Sequence, residues 1–337
     1  MIIDLRSDTV TKPTPEMLEA MMKAEVGDDV FNEDPTVIEL ENRLAQMFGH
    51  EAGLFCPSGT MTNQIAINVH TRPGDEVICD VNSHIYQYEG GGVAKNSGVQ
   101  VKLLTGDRGR ITAEQIEEVI NADYDWLTRS KLVSIENTVN KAGGSYYDLN
   151  ELKKIKSLSD KKEMSLHLDG ARIFNALVET GETAKQYGDL FDSISICLSK
   201  GLGTPAGSVL IGREEFIKKA RKVRKVFGGG MRQVGYLAAA GLYAIENNIE
   251  RLKEDHNKAK QIAELLQKQS YVKQVMPVDT NIIIFDLKDQ TAAEFLQKLA
   301  SRNIKAAAFG KYTIRFVTHY DFTDEMLLKI KSILQEL

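Results

Sequence analysis

The sequence predicts an α/β protein: a large domain on a mainly parallel seven-stranded sheet, followed by a small C-terminal α+β domain. Three observations predict it. Short apolar runs alternate with helical stretches along most of the chain, the pattern of a parallel sheet with crossover helices. Around Asn247–Glu250 the pattern changes to a long charged helix, from Ile249 to about Lys268, followed by a few further apolar runs. A length of 337 residues with a 42% hydrophobic share accommodates a large core and a smaller companion. The expected division is residues 1–248, whose N-terminal segment contributes to the site, and residues 249–337.

In chain order, two helices come first. Thr14-Pro15-Glu16 places a capping hydroxyl before a proline, and Asp34-Pro35 repeats that grammar before the apolar spacing Val37, Leu40, Leu44, Met47, closed by Gly49. Candidate strands then follow at Gly53–Cys56, Glu76–Cys79, Val99–Leu104, Lys131–Ile135, Ser165–Leu168, Ser193–Leu198 and Ser208–Ile211. Beyond the long helix, Asn281–Leu287 and Tyr312–Val317 are the apolar runs of the small domain. No repeat or flexible linker separates the two parts, so they should pack together and leave a cleft.

Composition excludes several classes. A formal charge of −5 and a pI near 5.8 argue against a nucleic-acid or anionic-membrane binder. The one basic run, Lys218–Lys225, reads as the solvated face of a helix, with a share left for an anionic ligand. Cys56, Cys79 and Cys197 lie in apolar runs, odd in number and without a Cys-x-x-Cys pair, as reduced thiols of a cytoplasmic protein would. The N-terminus carries no secretory pattern, and no apolar run approaches the ~18 residues of a membrane span. The six histidines are dispersed and no HExxH is present, so no metal site is expected.

The chemistry gathers at strand ends, where open α/β sheets bind ligands. Met164–Arg172 is a strand ending in Asp169, then Gly-Ala-Arg172; alone, Asp169 could equally cap a helix. Ser193–Gly203 is another strand, running into Lys200 and a glycine-rich turn. A carboxylate and an amine at adjacent strand ends are what pyridoxal 5′-phosphate needs: one keeps the pyridinium nitrogen protonated, the other holds the aldehyde as an imine. Phe55–Asn63 supplies a strand, a turn and a helix start, where Ser58, Gly59 and Thr60 can bind a phosphate through free N–H groups and hydroxyls. Ser58 lacks the flanking glycines of a nucleophile elbow, which argues against a serine hydrolase. His84, just after a strand end and before Gly90-Gly-Gly92, can stack on a flat cofactor or simply be a packing residue.

These segments, read together, resemble a known family. Arg6-Ser-Asp-Thr-Val-Thr11, Gly27–Thr36, Pro57-Ser-Gly-Thr60, His167–Asn175, Leu198–Gly203 and Gly228–Gln233 look, in order and over nearly the whole chain, like the low-specificity L-threonine aldolases. The resemblance implies the aspartate-aminotransferase fold type and cleavage of L-threonine, L-allo-threonine and related β-hydroxy-α-amino acids to glycine and an aldehyde. It implies Lys200 as imine lysine, Asp169 as pyridinium partner, His84 as ring-stacking residue, and Gly59 and Thr60 as phosphate binders. Ser7, Arg172 and Arg315 match positions that hold the substrate carboxylate. Lys225 and Arg232 match positions that reach the phosphate region of a neighbouring subunit, implying a homo-oligomer, a dimer of dimers, with shared active sites.

The chain also departs from the family. Phe31 and Asn32 stand where tyrosine and glycine are common, Val139 stands where a histidine is, and the stretch from Asn121 to Lys131 lacks the second histidine that some members have. These changes bear on the general base and on the preferred β-substituent. His84, a water it positions, or the cofactor phosphate remains open as the base. Other readings are β-elimination or transamination on the same scaffold, and a non-enzymatic cofactor-binding module.

Overall fold

The structure, a computed structural model, describes residues 1–337. After a two-residue strand, β1 (Ile3–Asp4), come α1 (Pro15–Met22) and α2 (Pro35–Phe48). Both start as their sequences require: Thr14 Oγ1 accepts from Met17 N at 3.2 Å and Asp34 Oδ1 from Val37 N at 3.1 Å. Each proline sits in the first turn, where a missing N–H costs nothing. Gly49 ends α2 in the left-handed region at φ 74°.

Seven strands make the large sheet: β2 (Ala52–Cys56), β3 (Asp75–Asp80), β4 (Gln100–Leu104), β5 (Arg129–Glu136), β6 (Ser165–Asp169), β7 (Ser193–Cys197) and β8 (Ser208–Gly212). Their spatial order is β2-β8-β7-β6-β5-β3-β4. β8 runs antiparallel to both neighbours, and the remaining pairs are parallel. The sheet is therefore mixed but mainly parallel, as expected. Every residue of β7 and β8 is buried, which explains why these strands read as continuous runs: helices cover both faces.

The C-terminal part begins with the helix Leu252–Leu266 and continues through β9 (Val272–Val275), β10 (Ile282–Leu287), β11 (Ile304–Lys305), β12 (Ala307–Ala308) and β13 (Thr313–Val317). An antiparallel sheet runs in the order β12-β13-β10-β9, backed by helices Ala292–Ser301 and Asp324–Glu336. β1 pairs in parallel with β11, and Ile3 and Leu5 are buried with Phe285, Phe295 and Phe316. The chain thus starts inside the C-terminal core and crosses to the large sheet through the turn at Ser7–Val10. That crossing carries Ser7 and Asp8 over the carboxyl ends of the parallel strands.

Candidate active site

Apart from Arg315, which lies in the middle of β13, each functional side chain stands at the carboxyl end of a strand or on the turn that follows. β6 ends in Asp169, whose buried carboxylate accepts from Asn63 Nδ2 at 2.8 Å and from Ala171 N at 3.2 Å. β7 leads to Lys200, and β3 leads to His84, which opens the short helix His84–Gln87. After β2, Ser58 caps α3 (Gly59–His70) by accepting from Met61 N at 3.2 Å, while its own O–H is left to donate. The N–H groups of Gly59 and Thr60 open that helix and have no carbonyl a turn earlier to bond. A Cβ at Gly59 would collide with Cys197 Sγ, so this cradle needs glycine.

Two cavities meet here. One, of about 150 Å³, is lined by Ser58, Gly59, Thr60, His84, Asp169 and Lys200, together with Asn63 and Cys197. The other, of about 260 Å³, is lined by Ser7, Arg172, Arg315 and Phe309 and shares His84 and Lys200 with the first. A cavity with a helix N-terminus at one end and a carboxylate in its wall adjoins a cationic pocket, and the lysine stands where they join.

The electrostatics follow from burial. Arg172 donates from Nε to Asp8 Oδ2 at 2.8 Å and from Nη2 to Asp8 Oδ1 at 2.7 Å, with both side chains buried. Burial alone would raise the Asp8 carboxyl, but Arg172 and then Lys200 outweigh it and hold it well below the usual carboxylate range. Arg315 donates to Asn140 Oδ1 and to the Arg6 carbonyl, both at 2.9 Å, and its guanidinium lies 4.6 Å from the Phe309 ring centre. Burial and the positive charge of Arg172 push it down to about 10. A carboxylate entering between these arginines would relieve that repulsion.

His84 is held from two sides. Its ring pairs through Nδ1 with Glu89 Oε1 at 2.9 Å, and its backbone N–H donates to Glu136 Oε2 at 2.7 Å. With the proton on Nδ1, Nε2 is the basic nitrogen. Burial disfavours the charged ring, yet the Glu89 hydrogen bond and the charges of Asp169, Glu89 and Glu136 overcome it and raise its pKa. Burial, and then the charge of Asp169, push the Glu136 carboxyl up to about 7.

Lys225 and Arg232 line neither cavity. Lys225 borders a separate basic cavity of about 790 Å³ with Lys218, Arg221, Lys222 and Arg224. Arg232 donates to Asp28 Oδ2 at 2.9 Å and lies 5.8 Å from the Phe31 ring centre. The basic run is not simply a solvated face, because Arg224 is buried, pairs with Asp29 at 2.7 Å and donates to the Phe55 carbonyl. Helical periodicity turns one of its charges inward to tie α3's approach to the 29–31 turn.

The departures from the family fall outside the two cavities. Val139 is buried in the core against Gly109. Asn32 adopts φ 60°, a left-handed conformation that glycine takes freely and asparagine tolerates best among the other residues. Tyr124 and Trp126, in the stretch without histidine, stack at 4.7 Å and are exposed. Sequence reasoning missed Asp8, Asn63, Glu89, Glu136 and Asn140. Glu136 alone carried a usable signal, as the charged residue directly after the predicted strand Lys131–Ile135.

Residues 4–290 match the beta-eliminating lyase family. The low specificity L-threonine aldolase of Escherichia coli (strain K12) is 42% identical over 332 residues, covering 98% of each chain. The low-specificity L-threonine aldolase 1 of Arabidopsis thaliana is 41% identical over 329 residues, 95% of this chain and 92% of that one. Among solved structures, the threonine aldolase of Leishmania major superposes with a TM-score of 0.85 at 21% identity over 99% of both chains, which supports the fold. On identity held over nearly the full length, the chain belongs to the low-specificity L-threonine aldolases, within the beta-eliminating lyase family.

Proposed function

We propose that this chain cleaves L-threonine, L-allo-threonine and related β-hydroxy-α-amino acids to glycine and an aldehyde with pyridoxal 5′-phosphate as cofactor. The observation that carries the reading is the junction of the two cavities at Lys200, with Asp169 and the Gly59–Thr60 cradle on one side and Arg172 and Arg315 on the other. The cofactor's parts fit the residues present. The N–H groups of Gly59 and Thr60 with the hydroxyls of Ser58 and Thr60 would hold its phosphate, Asp169 its ring nitrogen, His84 its face and Lys200 its aldehyde. When bound, pyridoxal phosphate supplies an electron-withdrawing ring that stabilises negative charge on the substrate α-carbon.

The protein's own share is orientation and proton handling. Arg315 and the unclamped Nη1 of Arg172 hold the substrate carboxylate, with Ser7 beside them. Fixing the amine leaves rotation about the N–Cα bond, and holding the carboxylate sets that rotation, so the placement of these arginines decides whether the bond to the β-carbon is the one aligned for cleavage. His84, which lines both cavities, takes the β-hydroxyl proton at Nε2 as the aldehyde leaves. Lys225 and Arg232 serve a neighbouring copy's phosphate region in a homo-oligomer, a dimer of dimers, a role consistent with their standing apart from this chain's cavities. Three buried free thiols are in keeping with a cytoplasmic location.

Incubation of the purified, cofactor-loaded protein with L-threonine tests the reading. Acetaldehyde and glycine in equal amounts are expected; 2-oxo acid with ammonia, or with amino-group transfer, would assign elimination or transamination instead.

A further inference from the structure

Behind the cavity that Asp169 lines runs a chain of hydrogen bonds whose direction is set from its carboxylate end. Asn63 Nδ2 donates to Asp169 Oδ2 at 2.8 Å and to Glu89 Oε1 at 2.9 Å. Two carboxylates on that side require the amide NH₂ there, so Asn63 Oδ1 must face the other way. It meets His167 Nε2 at 3.2 Å, which therefore carries the ring proton. His167 Nδ1 is then an acceptor, and Ser193 Oγ donates to it at 2.8 Å. Having spent its hydrogen, Ser193 Oγ accepts from His70 Nε2, also at 2.8 Å. Burial lowers both imidazoles, His167 to about 4 and His70 to about 3, so neither brings a second ring proton that would upset this order.

All donors in the chain point toward Asp169. The last of them is an amide, which stabilises a carboxylate strongly but cannot surrender its proton. Asn63 also stands one helical turn after Gly59 and Thr60, and all three line the same cavity. One rigid helix, α3, thus registers a phosphate cradle at its first turn and a carboxylate at its second.

We propose that Asn63 is a positioning residue that orients Asp169 and keeps it an ionised acceptor for the cofactor's ring nitrogen, with His167, Ser193 and His70 forming the relay that fixes the amide's direction. The proposal rests on the reading of Asp169 as ring-nitrogen partner. It goes beyond that reading by assigning the ring's protonation to Asn63, which lines the cofactor cavity beside Asp169, and to three residues behind it.

The test loads the protein with pyridoxal phosphate carrying ¹⁵N in the ring, and reads the ring-nitrogen chemical shift and the cofactor dissociation constant, not turnover. Wild type should show a protonated ring, and Asp169→Asn should lose it. Asn63→Leu, close in volume but without hydrogen bonds, should shift the signal toward the unprotonated ring and weaken cofactor binding by about tenfold, the cost of one charge-assisted hydrogen bond. Ser193→Ala, which breaks the relay two bonds away and lies in a strand, should move the signal the same way by less, and it decides the matter if Asn63→Leu does not fold. Wild-type shift and affinity in the folded variants would overturn the relay while leaving Asp169 intact. An unchanged shift in Asp169→Asn would overturn the reading of Asp169, and the relay with it.

Discussion

Arg172 and Asp8 form a buried, two-pronged ion pair, Nε to Oδ2 at 2.8 Å and Nη2 to Oδ1 at 2.7 Å, between residues 164 positions apart. The pair pins the crossing segment that follows β1 to the end of β6. It also uses two of the three guanidinium nitrogens, so Asp8 decides which face of Arg172 is left for a ligand. Replacing Asp8 by asparagine removes the charge and leaves a buried arginine without its counter-ion. Stability should fall by about 3–5 kcal/mol in urea unfolding at neutral pH.

The same pair sets an acid dependence. The folded carboxyl of Asp8 lies below its ordinary value of ~3.9, so its stabilisation is fully present above that value and is lost as pH falls below it. The stability difference between wild type and Asp8→Asn should therefore hold above about pH 4 and shrink as pH falls from about 4 to about 2. A difference that stays constant over that range in paired urea titrations would show that the charge of Asp8 contributes nothing.

Arg315→Lys should raise KM for threonine by about 10–100-fold with a smaller change in kcat. A lysine has one point charge where Arg315 spreads donors to Asn140 and the Arg6 carbonyl while facing the pocket, and losing one charged hydrogen bond accounts for that range. Steady-state kinetics separate the two constants; a fall in kcat alone would place Arg315 elsewhere in the reaction.

Gly59→Ala should weaken cofactor binding by about tenfold or more. The added methyl meets Cys197 Sγ, and the clash, of about 1–3 kcal/mol, is relieved by moving the cradle away from the ring site. Fluorescence titration of the apoprotein with pyridoxal phosphate measures it, and Gly59→Ala combined with Cys197→Ala should recover part of the loss.

Much of this site could be read from local grammar. Asp169 closes a strand, Gly59 opens a helix and Lys200 sits on the turn three residues after a strand, and a strand end is visible in a dozen consecutive residues. Asp8, Asn63 and Glu89 were not legible, because each acquires its role from partners far away in sequence: Asp8 from Arg172, Asn63 from Asp169 and His167, Glu89 from His84 and Asn63. β1 escaped notice for a related reason. Two residues carry no periodicity, and their burial depends on β11, some three hundred residues later.

Glu89→Gln should move the acid limb of kcat to lower pH. Glu89 helps raise the His84 pKa, so removing its charge lets the ring shed its proton earlier and makes Nε2 available as a base in more acidic solution. In the folded state the raised pKa also stabilises below about pH 6.5, and that contribution disappears as pH rises through the folded value. A pH–rate profile unmoved by the substitution would remove His84 as the base.

Lys200 joins the cofactor side of the site to the substrate side, because the two cavities meet at it. Reduction of the cofactor-loaded protein with borohydride, followed by digestion and mass spectrometry, locates the amine that holds the aldehyde. A phosphopyridoxyl adduct is expected on the peptide containing Lys200, and it should be lost in Lys200→Ala together with acetaldehyde release from threonine. An adduct on another lysine, or full threonine cleavage by Lys200→Ala, would contradict Lys200 as that amine.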